Sequence, residues 1–247
     1  MCVLICRVGE SPALAANRDE HYTRPFSPPR LWVADTPFWA PRDDEEGGTW
    51  IGVNRHGLIA AITNRSTLTE TPGRASRGHL VAGVLARPDA AAARDWLTRE
   101  LRAGAHNPCQ IVAIEADRSW LCRIDGPDFE FTELAPGIHV LSNLHEPGEI
   151  DFFLGADPTL DEMRLELADA SPRLPRGYAV CKRAGWRGTV ASALIEPGTR
   201  FWFAGGPPDE TPYEPVPGYP GAGSSSSDSK SSSASSSSSS SSNSSAG

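Results

Sequence analysis

The chain opens with an uninterrupted apolar run, Cys2-Val3-Leu4-Ile5-Cys6. A short run of this kind, with β-branched residues in it, predicts a buried strand. Turn-forming residues follow at 8–12, and residues 13–16 are again apolar and lead to Asn17. The pattern predicts an N-terminal hairpin whose two strands lie side by side.

Two more apolar runs, residues 49–53 and 58–63, lie on either side of Asn54-Arg55-His56-Gly57. Asn and Gly in a short connection favour a tight turn, so these runs predict a second hairpin. The preceding segment, residues 22–46, is rich in proline, arginine and acidic residues. It predicts a long irregular loop, and such loops inside a compact domain are usually functional or mobile.

Helical spacing begins further along the chain. Residues 77–86 predict a short helix, and Asp89 is placed to cap a second one, whose apolar residues recur at helical spacing from Ala93 to Leu101. A third helix is expected to start near Asp157-Pro158, with proline at its first position. Further strands are predicted at residues 111–115, 120–124, 129–134, 138–141, 189–195 and 200–204. This order indicates an α+β fold of mainly antiparallel sheets with helices packed outside.

The sequence divides into a domain and a tail. From about Gly218 the chain is glycine, alanine and then an almost unbroken serine run, which cannot bury enough apolar surface to fold. No linker-like break or internal repeat interrupts the rest. We therefore expect one folded domain over residues 1–217 and a disordered serine-rich tail over residues 218–247.

Charge and composition exclude several classes of protein. The net charge of −8 argues against a nucleic-acid binder, which needs a basic face. No segment approaches the roughly 18 apolar residues of a membrane span, so no stable membrane insertion is expected. The five cysteines are not spaced as a disulfide framework, which favours a reduced, cytoplasmic protein. The six histidines form no close pairs, so we assign no metal and expect no other cofactor. The oligomeric state is left open.

Candidate chemistry is concentrated at the N-terminus. The initiator methionine is generally removed when the next residue is small, so the mature chain is expected to begin with Cys2. A terminal cysteine carries a nucleophilic sulfur and an α-amine, whose pKa of about 7.7–8.0 suits it to accept the thiol proton. If Arg18 lies beside the thiol on the returning strand, its charge is expected to lower the thiol pKa. Asp19 or Glu20 would hold the α-ammonium or orient Arg18. The alternative is that the Asn17-Arg18-Asp19-Glu20 segment is a surface turn of mixed charge.

Asn64 and Asn143 each stand at the end of an apolar strand. An amide NH₂ fixed at a strand end can donate to a developing oxyanion, an effect worth about 10²–10³ in rate. The alternative is that each asparagine simply begins the turn after its strand, which is common.

Several of these segments recur together in one family. In chain order they are Met1-Cys2, Asn17-Arg18-Asp19-Glu20, Gly48-Thr49-Trp50-Ile51-Gly52-Val53-Asn54, Gly57-Leu58, Thr63-Asn64, Leu141-Ser142-Asn143, Ser192-Ala193-Leu194-Ile195, Gly205-Gly206-Pro207-Pro208 and Pro212-Tyr213. Over about residues 1–215 the chain resembles the NRDE family, relatives of the eukaryotic transport-and-Golgi-organisation protein.

The resemblance places the chain with the N-terminal-nucleophile hydrolases, most like the penicillin acylase, choloylglycine hydrolase and acid ceramidase branch. It implies a four-layer αββα sandwich of antiparallel sheets and a processed N-terminal cysteine that attacks a non-peptide amide. Carried over by position, Cys2 is the nucleophile and Arg18 its electrostatic partner. Asn64 and Asn143 are then oxyanion or substrate contacts.

One position departs from the acylase pattern. That branch has a carboxylate three residues after the arginine, where this chain has His21. Asp19 or Glu20 would have to take its place, and we assign Asp19 to the catalytic group. Glu20, Trp50 and Arg65 stand in or beside the shared motifs and are expected to contact the substrate.

These features predict an N-terminal cysteine amidohydrolase or acyltransferase whose partner is a small molecule with a non-peptide amide. The family is also linked to Golgi organisation, haem trafficking and lipid metabolism, which leaves two alternatives. One is a non-catalytic carrier or chaperone of a hydrophobic small molecule such as haem, using the same cleft. The other is a scaffold in trafficking.

Overall fold

A computed structural model describes residues 2–65, 68–144, 154–174 and 177–221. Its strands are β1 (Val3–Val8), β2 (Ala13–His21), β3 (Phe26–Trp32), β4 (Phe38–Asp43), β5 (Ile51–Asn54), β6 (Ile59–Asn64), β7 (Cys109–Ile114), β8 (Ser119–Asp125), β9 (Asp128–Glu133), β10 (Gly137–Ser142), β11 (Arg183–Ala184), β12 (Arg187–Glu196), β13 (Arg200–Ala204) and β14 (Glu214–Pro215). Its helices are α1 (Gly78–Leu85), α2 (Ala90–Ala103) and α3 (Leu160–Leu167). No helix in these ranges is both long and apolar enough to cross a bilayer.

The strands form two seven-stranded antiparallel sheets. In the first, which we call the N-terminal sheet, the order is β10-β1-β2-β12-β13-β14, and β11 also pairs with β12. The second, the meander sheet, keeps chain order from β3 to β9. Because β1 lies between β10 and β2, the start of the chain is held inside a sheet and not at its edge.

Three apolar clusters separate four layers. The first lies between the two sheets, the second lies between the meander sheet and the pair α1 and α2, and the third lies between the N-terminal sheet and α3. Strand β1 supplies two of them by alternation, since Leu4 and Cys6 face the other sheet while Val3 and Ile5 face α3. The expected α+β fold, an αββα sandwich of antiparallel sheets, is confirmed.

The expected loop over residues 22–46 is wrong, since the segment contains β3 and β4. Strand β3 is the edge of the meander sheet, and its register shifts between Ser27 and Arg30 around two prolines. Proline cannot donate to a ladder, so it is tolerated at an edge or a bulge but makes a segment look irregular in the sequence.

The predicted helices are present, with one shifted start. Asp89 caps α2 by accepting a hydrogen bond from the Ala92 amide. Helix α3 begins after Thr159 and not at Pro158, because Thr159 and Glu162 form a reciprocal capping box.

The folded domain extends beyond the expected boundary at residue 217. Tyr219 is 5% exposed, packs edge-on against Trp39 and Phe201, and accepts a hydrogen bond from the Gly198 amide at 2.9 Å. An aromatic ring with a hydroxyl can anchor to a core even in a segment of glycine and proline. Residues 222–247 of the expected tail lie outside the described part of the chain.

Candidate active site

Cys2 is held at the end of β1 by strands on both sides. The first residue of β1 pairs with Asn17 of β2 and with Ser142 of β10. In antiparallel strands, one step back along β1 is one step forward along each neighbour, so Cys2 comes between Arg18 and Asn143. By alternation Cys2 shares the inter-sheet face of β1.

A cleft of about 120 Å³ opens at this end of the two sheets. It is lined by the five residues that the sequence singled out for catalysis, Cys2, Arg18, Asp19, Asn64 and Asn143. Glu20 and Trp50 line it as well. Residues from both sheets therefore meet at one place, although they are up to 141 positions apart, from residue 2 to residue 143.

Arg65 is the exception among the predicted site residues. It is not part of the cleft lining, and its guanidinium pairs with Asp125 at the end of β8. His21, the position at which the acylase pattern has a carboxylate, is exposed and stacks obliquely against Trp186 at 4.3 Å.

Arg18 is buried, with 5% of its surface exposed. Its guanidinium carbon lies 4.2 Å from the centre of the Trp50 ring, and Nη2 donates to Asp43 Oδ2 at 2.8 Å. Burial lowers the pKa of Arg18, and the negative charge of Asp43 opposes that change. The ordinary pKa of arginine is so high that the group stays charged at neutral pH.

Asp43 is a site residue that the sequence did not reveal. Besides Arg18 it binds Arg24, whose Nε donates to Oδ2 at 2.8 Å. Burial alone would raise the pKa of Asp43, but the hydrogen bond from Arg24 and the two guanidinium charges outweigh it and lower the pKa. Asp43 therefore keeps a negative charge that holds both arginines at the cleft.

Asp19 is buried on the same strand, with 3% of its surface exposed. Its Oδ1 accepts a hydrogen bond of 2.7 Å from the hydroxyl of Thr189, which lies opposite it on β12. In the chain that carries Met1, burial raises the pKa of Asp19, and the positive charge of the Met1 ammonium opposes this. Asp19 is thus a buried carboxylate close to the chain terminus, as the assignment of Asp19 to the catalytic group requires.

In the chain that still carries Met1, the pKa of the Cys2 thiol is raised, and not lowered as expected for the mature chain. Burial raises it, the nearby negative charges of Asp19 and Glu20 raise it further, and the N-terminal ammonium only partly compensates. Arg18 does not reverse this, because much of its charge is already paired with Asp43. The resting thiol therefore carries its proton, and attack on a carbonyl requires a proton acceptor at the moment of reaction.

Gln110 joins the two sheets beneath the cleft. It is 4% exposed on β7, and its side-chain amide donates to Thr63 Oγ1 and to the Ser142 carbonyl, both at 2.8 Å. Each acceptor directly precedes one of the cleft asparagines. Gln110 thereby fixes the distance between the strand ends that carry Asn64 and Asn143.

Helix α1 begins at the wall of the cleft, where Gly48 and Gly78 allow two backbones to touch. A Cβ at Gly48 would lie 2.5 Å from the Gly78 carbonyl carbon, and the Thr49 amide donates to the Gly78 carbonyl at 3.2 Å. Only glycine fits so close an approach.

Sequence reasoning missed Asp43, Thr189 and Gln110. A signal existed for the last two, since each is a polar residue inside an apolar strand, and a buried polar group requires a partner. No such signal marks Asp43, because it lies in a run of charged residues from 42 to 46 in which no single carboxylate stands out. Across the described ranges, no group of three or more His, Cys, Asp or Glu side chains is arranged to hold a metal ion.

Comparison with known sequences relates the chain to one family. The sequence model of the Transport and Golgi organisation 2 family matches residues 1–150. The Transport and Golgi organization 2 homolog of Mus musculus is 33% identical over 96 residues, which cover 34% of this chain and 35% of that protein. The Homo sapiens homolog is 36% identical over 75 residues, or 26% of this chain and 27% of that protein. The matched segments thus span about a third or less of these relatives.

Solved structures share the fold. The N-acylethanolamine-hydrolyzing acid amidase ortholog of Caenorhabditis elegans superimposes with a TM-score of 0.50 at 12% identity, over 78% of this chain and 92% of that chain. Penicillin V acylase from Agrobacterium tumefaciens gives a TM-score of 0.47 at 13% identity, over 83% of each chain. At such identities the likeness to the amidase establishes an N-terminal-nucleophile hydrolase-like sandwich and nothing about activity.

Proposed function

Because the chain belongs to the Transport and Golgi organisation 2 family, we propose that this family's fold here carries an N-terminal cysteine amidohydrolase or acyltransferase. The substrate is a small molecule with a non-peptide amide. The observation that carries the proposal is the position of Cys2, held between Arg18 and Asn143 at the floor of a polar cleft.

The reaction begins with removal of Met1, which frees the α-amine of Cys2. The amine then takes the thiol proton as sulfur attacks the amide carbonyl. The side-chain amides of Asn64 and Asn143 donate to the oxyanion. The C–N bond then breaks, the leaving amine takes the proton from the α-ammonium, and a thioester on Cys2 remains. Water or an acceptor nucleophile attacks the thioester, releases the acyl group and restores the thiol.

Asp19 positions the proton acceptor in this scheme. Its Oδ1 is fixed by Thr189, and the N-terminal ammonium acts on its pKa through its charge. We assign Asp19 to holding the α-ammonium that forms during attack. Arg18, held by Asp43 and Trp50, supplies positive charge near the developing thiolate and oxyanion.

The size and polarity of the cleft separate this proposal from the carrier alternative. Sites that enclose drug-sized ligands usually measure about 300–1,000 Å³ and are mainly apolar. The cleft here measures about 120 Å³ and is lined mainly by charged and polar residues. This favours a reacting polar group over an enclosed haem. A trafficking role and a cytoplasmic location remain expectations of the sequence.

The test combines intact mass with two cysteine variants. Purified protein should lack Met1, and it should hydrolyse at least one member of a panel of neutral and anionic N-acyl amides. Cys2→Ala should abolish that turnover, whereas Cys6→Ala should leave the chemistry intact and cost only stability. Cys6 is the matched control, because it shares the face of Cys2 but is fully buried and has no α-amine. Turnover that survives Cys2→Ala, or an active protein that keeps Met1, would exclude the mechanism.

A further inference from the structure

The cleft is rich in arginine although the whole chain is acidic. The net charge of the chain is −8, yet the cleft is lined by four arginines and three carboxylates. The arginines are Arg18, Arg24, Arg77 and Arg187, and the carboxylates are Asp19, Glu20 and Asp43. Guanidinium groups gathered in a cleft are suited to bind carboxylate or phosphate oxygens when their donors are not already used.

Two of these arginines have donor groups that remain unused. Nη1 of Arg18 and Nε of Arg187 are buried and have no hydrogen-bond partner among the described residues. Arg24 and Arg77, in contrast, bind Asp43 and Glu70. A buried donor without an acceptor destabilises the fold, so such groups in a cleft indicate an acceptor that arrives with a ligand.

Arg187 lines the same cleft as Arg18. Arg187 lies at the start of β12, and that strand pairs with β2, which carries Arg18. The register shifts between Thr189 and Ala191, one of the irregularities that redirect side chains next to active sites.

Helix α1 adds positive potential to the opposite wall. Its first turn contains no acidic residue, and its amides are capped by a side chain only through a hydrogen bond of 3.4 Å from the Gly78 amide to Ser76 Oγ, among the described residues. The contact between Gly48 and Gly78 holds this end at the cleft. A helix N-terminus carries a partial positive charge, which favours an anion nearby.

We propose that the cleft binds a carboxylate or phosphate group through Arg18 Nη1 and Arg187 Nε, next to the amide that Cys2 attacks. The substrate class is then an N-acyl compound that carries an anionic oxygen group close to its amide. The closeness follows from the lining, since Arg18 lies beside Cys2 on the neighbouring strand and both line a cleft of only about 120 Å³. The position of the amide rests on the proposed function, whereas the anion subsite does not.

Calorimetry on Cys2→Ala tests the subsite without turnover. N-acetylglycine is compared with N-acetylglycinamide, and N-acetylethanolamine phosphate with N-acetylethanolamine, so each pair differs only in the anion. At least one anionic probe should bind about tenfold or more tightly than its neutral partner, because charge-assisted hydrogen bonds are the strong ones. The pair with the larger difference identifies carboxylate or phosphate as the preferred group.

Arg187→Gln should remove most of that difference. Arg55→Gln is the matched control, since it makes the same change of charge at an exposed position outside the cleft lining. In the unaltered protein, the preferred anionic probe should also slow alkylation of Cys2, which gives a readout that does not depend on the variants. Equal affinity within both pairs, or a difference that Arg187→Gln leaves unchanged, overturns the proposal.

The two proposals can fail separately. Anion preference in a protein that hydrolyses no member of the amide panel supports the subsite and rejects the hydrolase. Equal turnover of neutral and anionic amides through Cys2 supports the hydrolase and rejects the subsite.

Discussion

Replacement of Gln110 by methionine tests whether the two sheets are tied together beneath the cleft. Methionine has nearly the volume of glutamine and no donor, so Gln110→Met removes both hydrogen bonds with little change in packing. The Thr63 hydroxyl and the Ser142 carbonyl would each lose a donor in a dry interior.

The expected loss of stability in Gln110→Met follows from the free-energy cost of breaking buried hydrogen bonds. Breaking a buried hydrogen bond at one partner costs about 1–3 kcal/mol. Two such bonds are lost, one to the Thr63 hydroxyl and one to the Ser142 carbonyl, which gives a loss of about 2–4 kcal/mol in the free energy of unfolding. In a domain of this size each kcal/mol shifts Tm by about 2–4 °C, so Tm should fall by roughly 5–15 °C.

Urea unfolding of four proteins measures this directly. They are the unaltered chain, Gln110→Met, Thr63→Val and the double variant. Thr63→Val leaves the contact to Ser142 intact, so it should cost less than Gln110→Met. The double variant should cost less than the sum of the single changes, because both remove the same hydrogen bond. A loss below about 1 kcal/mol for Gln110→Met, or strict additivity, would refute the tie between the sheets.

Two further predictions concern the ends of the chain. Truncation after Gly221 should leave Tm nearly unchanged, because the serine-rich remainder offers no apolar anchor. Truncation after Pro217 removes Tyr219 and should lower the free energy of unfolding by about 3–5 kcal/mol, measured by thermal or urea unfolding. Equal stability of the two truncated proteins would contradict the packing of Tyr219. In protein that retains Met1, the pKa of Cys2 is raised, so its alkylation by iodoacetamide should be slower at pH 7 than that of a free cysteine. Its rate should still rise at pH 10, where an unperturbed thiol with a pKa near 8.5 has levelled off. A rate that reaches its plateau below pH 8 would show a lowered pKa instead.

Local patterns predicted most of the architecture. The apolar run at residues 2–6, the turn at Asn54-Arg55-His56-Gly57 and the cap at Asp89 each depend on neighbours within a few positions, and the corresponding hairpins and helix are present. Alternation along β1 also placed Cys2 on the same face as Cys6. The prediction of a loop over residues 22–46 was wrong because proline lowers the strand propensity of a segment. At the edge of a sheet, however, proline is tolerated, since no neighbouring strand needs its missing N–H.

The interior of the site could be predicted only in part. The NRDE motif identified Cys2, Arg18 and Asp19, but no local pattern reveals that Asp43 would neutralise Arg18. The direction of the Cys2 pKa was missed for the same reason. A neighbouring arginine is visible in the sequence, whereas the extent of burial and the pairing of that arginine depend on strands far along the chain.

The place of β1 between β2 and β10 has a consequence for biosynthesis. Cys2 is synthesised long before the strands that surround it. Its neighbour β10 is complete only when residue 142 has been made, and Thr189, the partner of Asp19, is made later still. Contacts of such long range form slowly. In the proposed mechanism, an aminopeptidase can therefore remove Met1 during translation, before the sheet closes around Cys2. A tag fused ahead of Cys2 would lie between β2 and β10 at the end of β1, and its chain would have to pass through the cleft to reach the solvent.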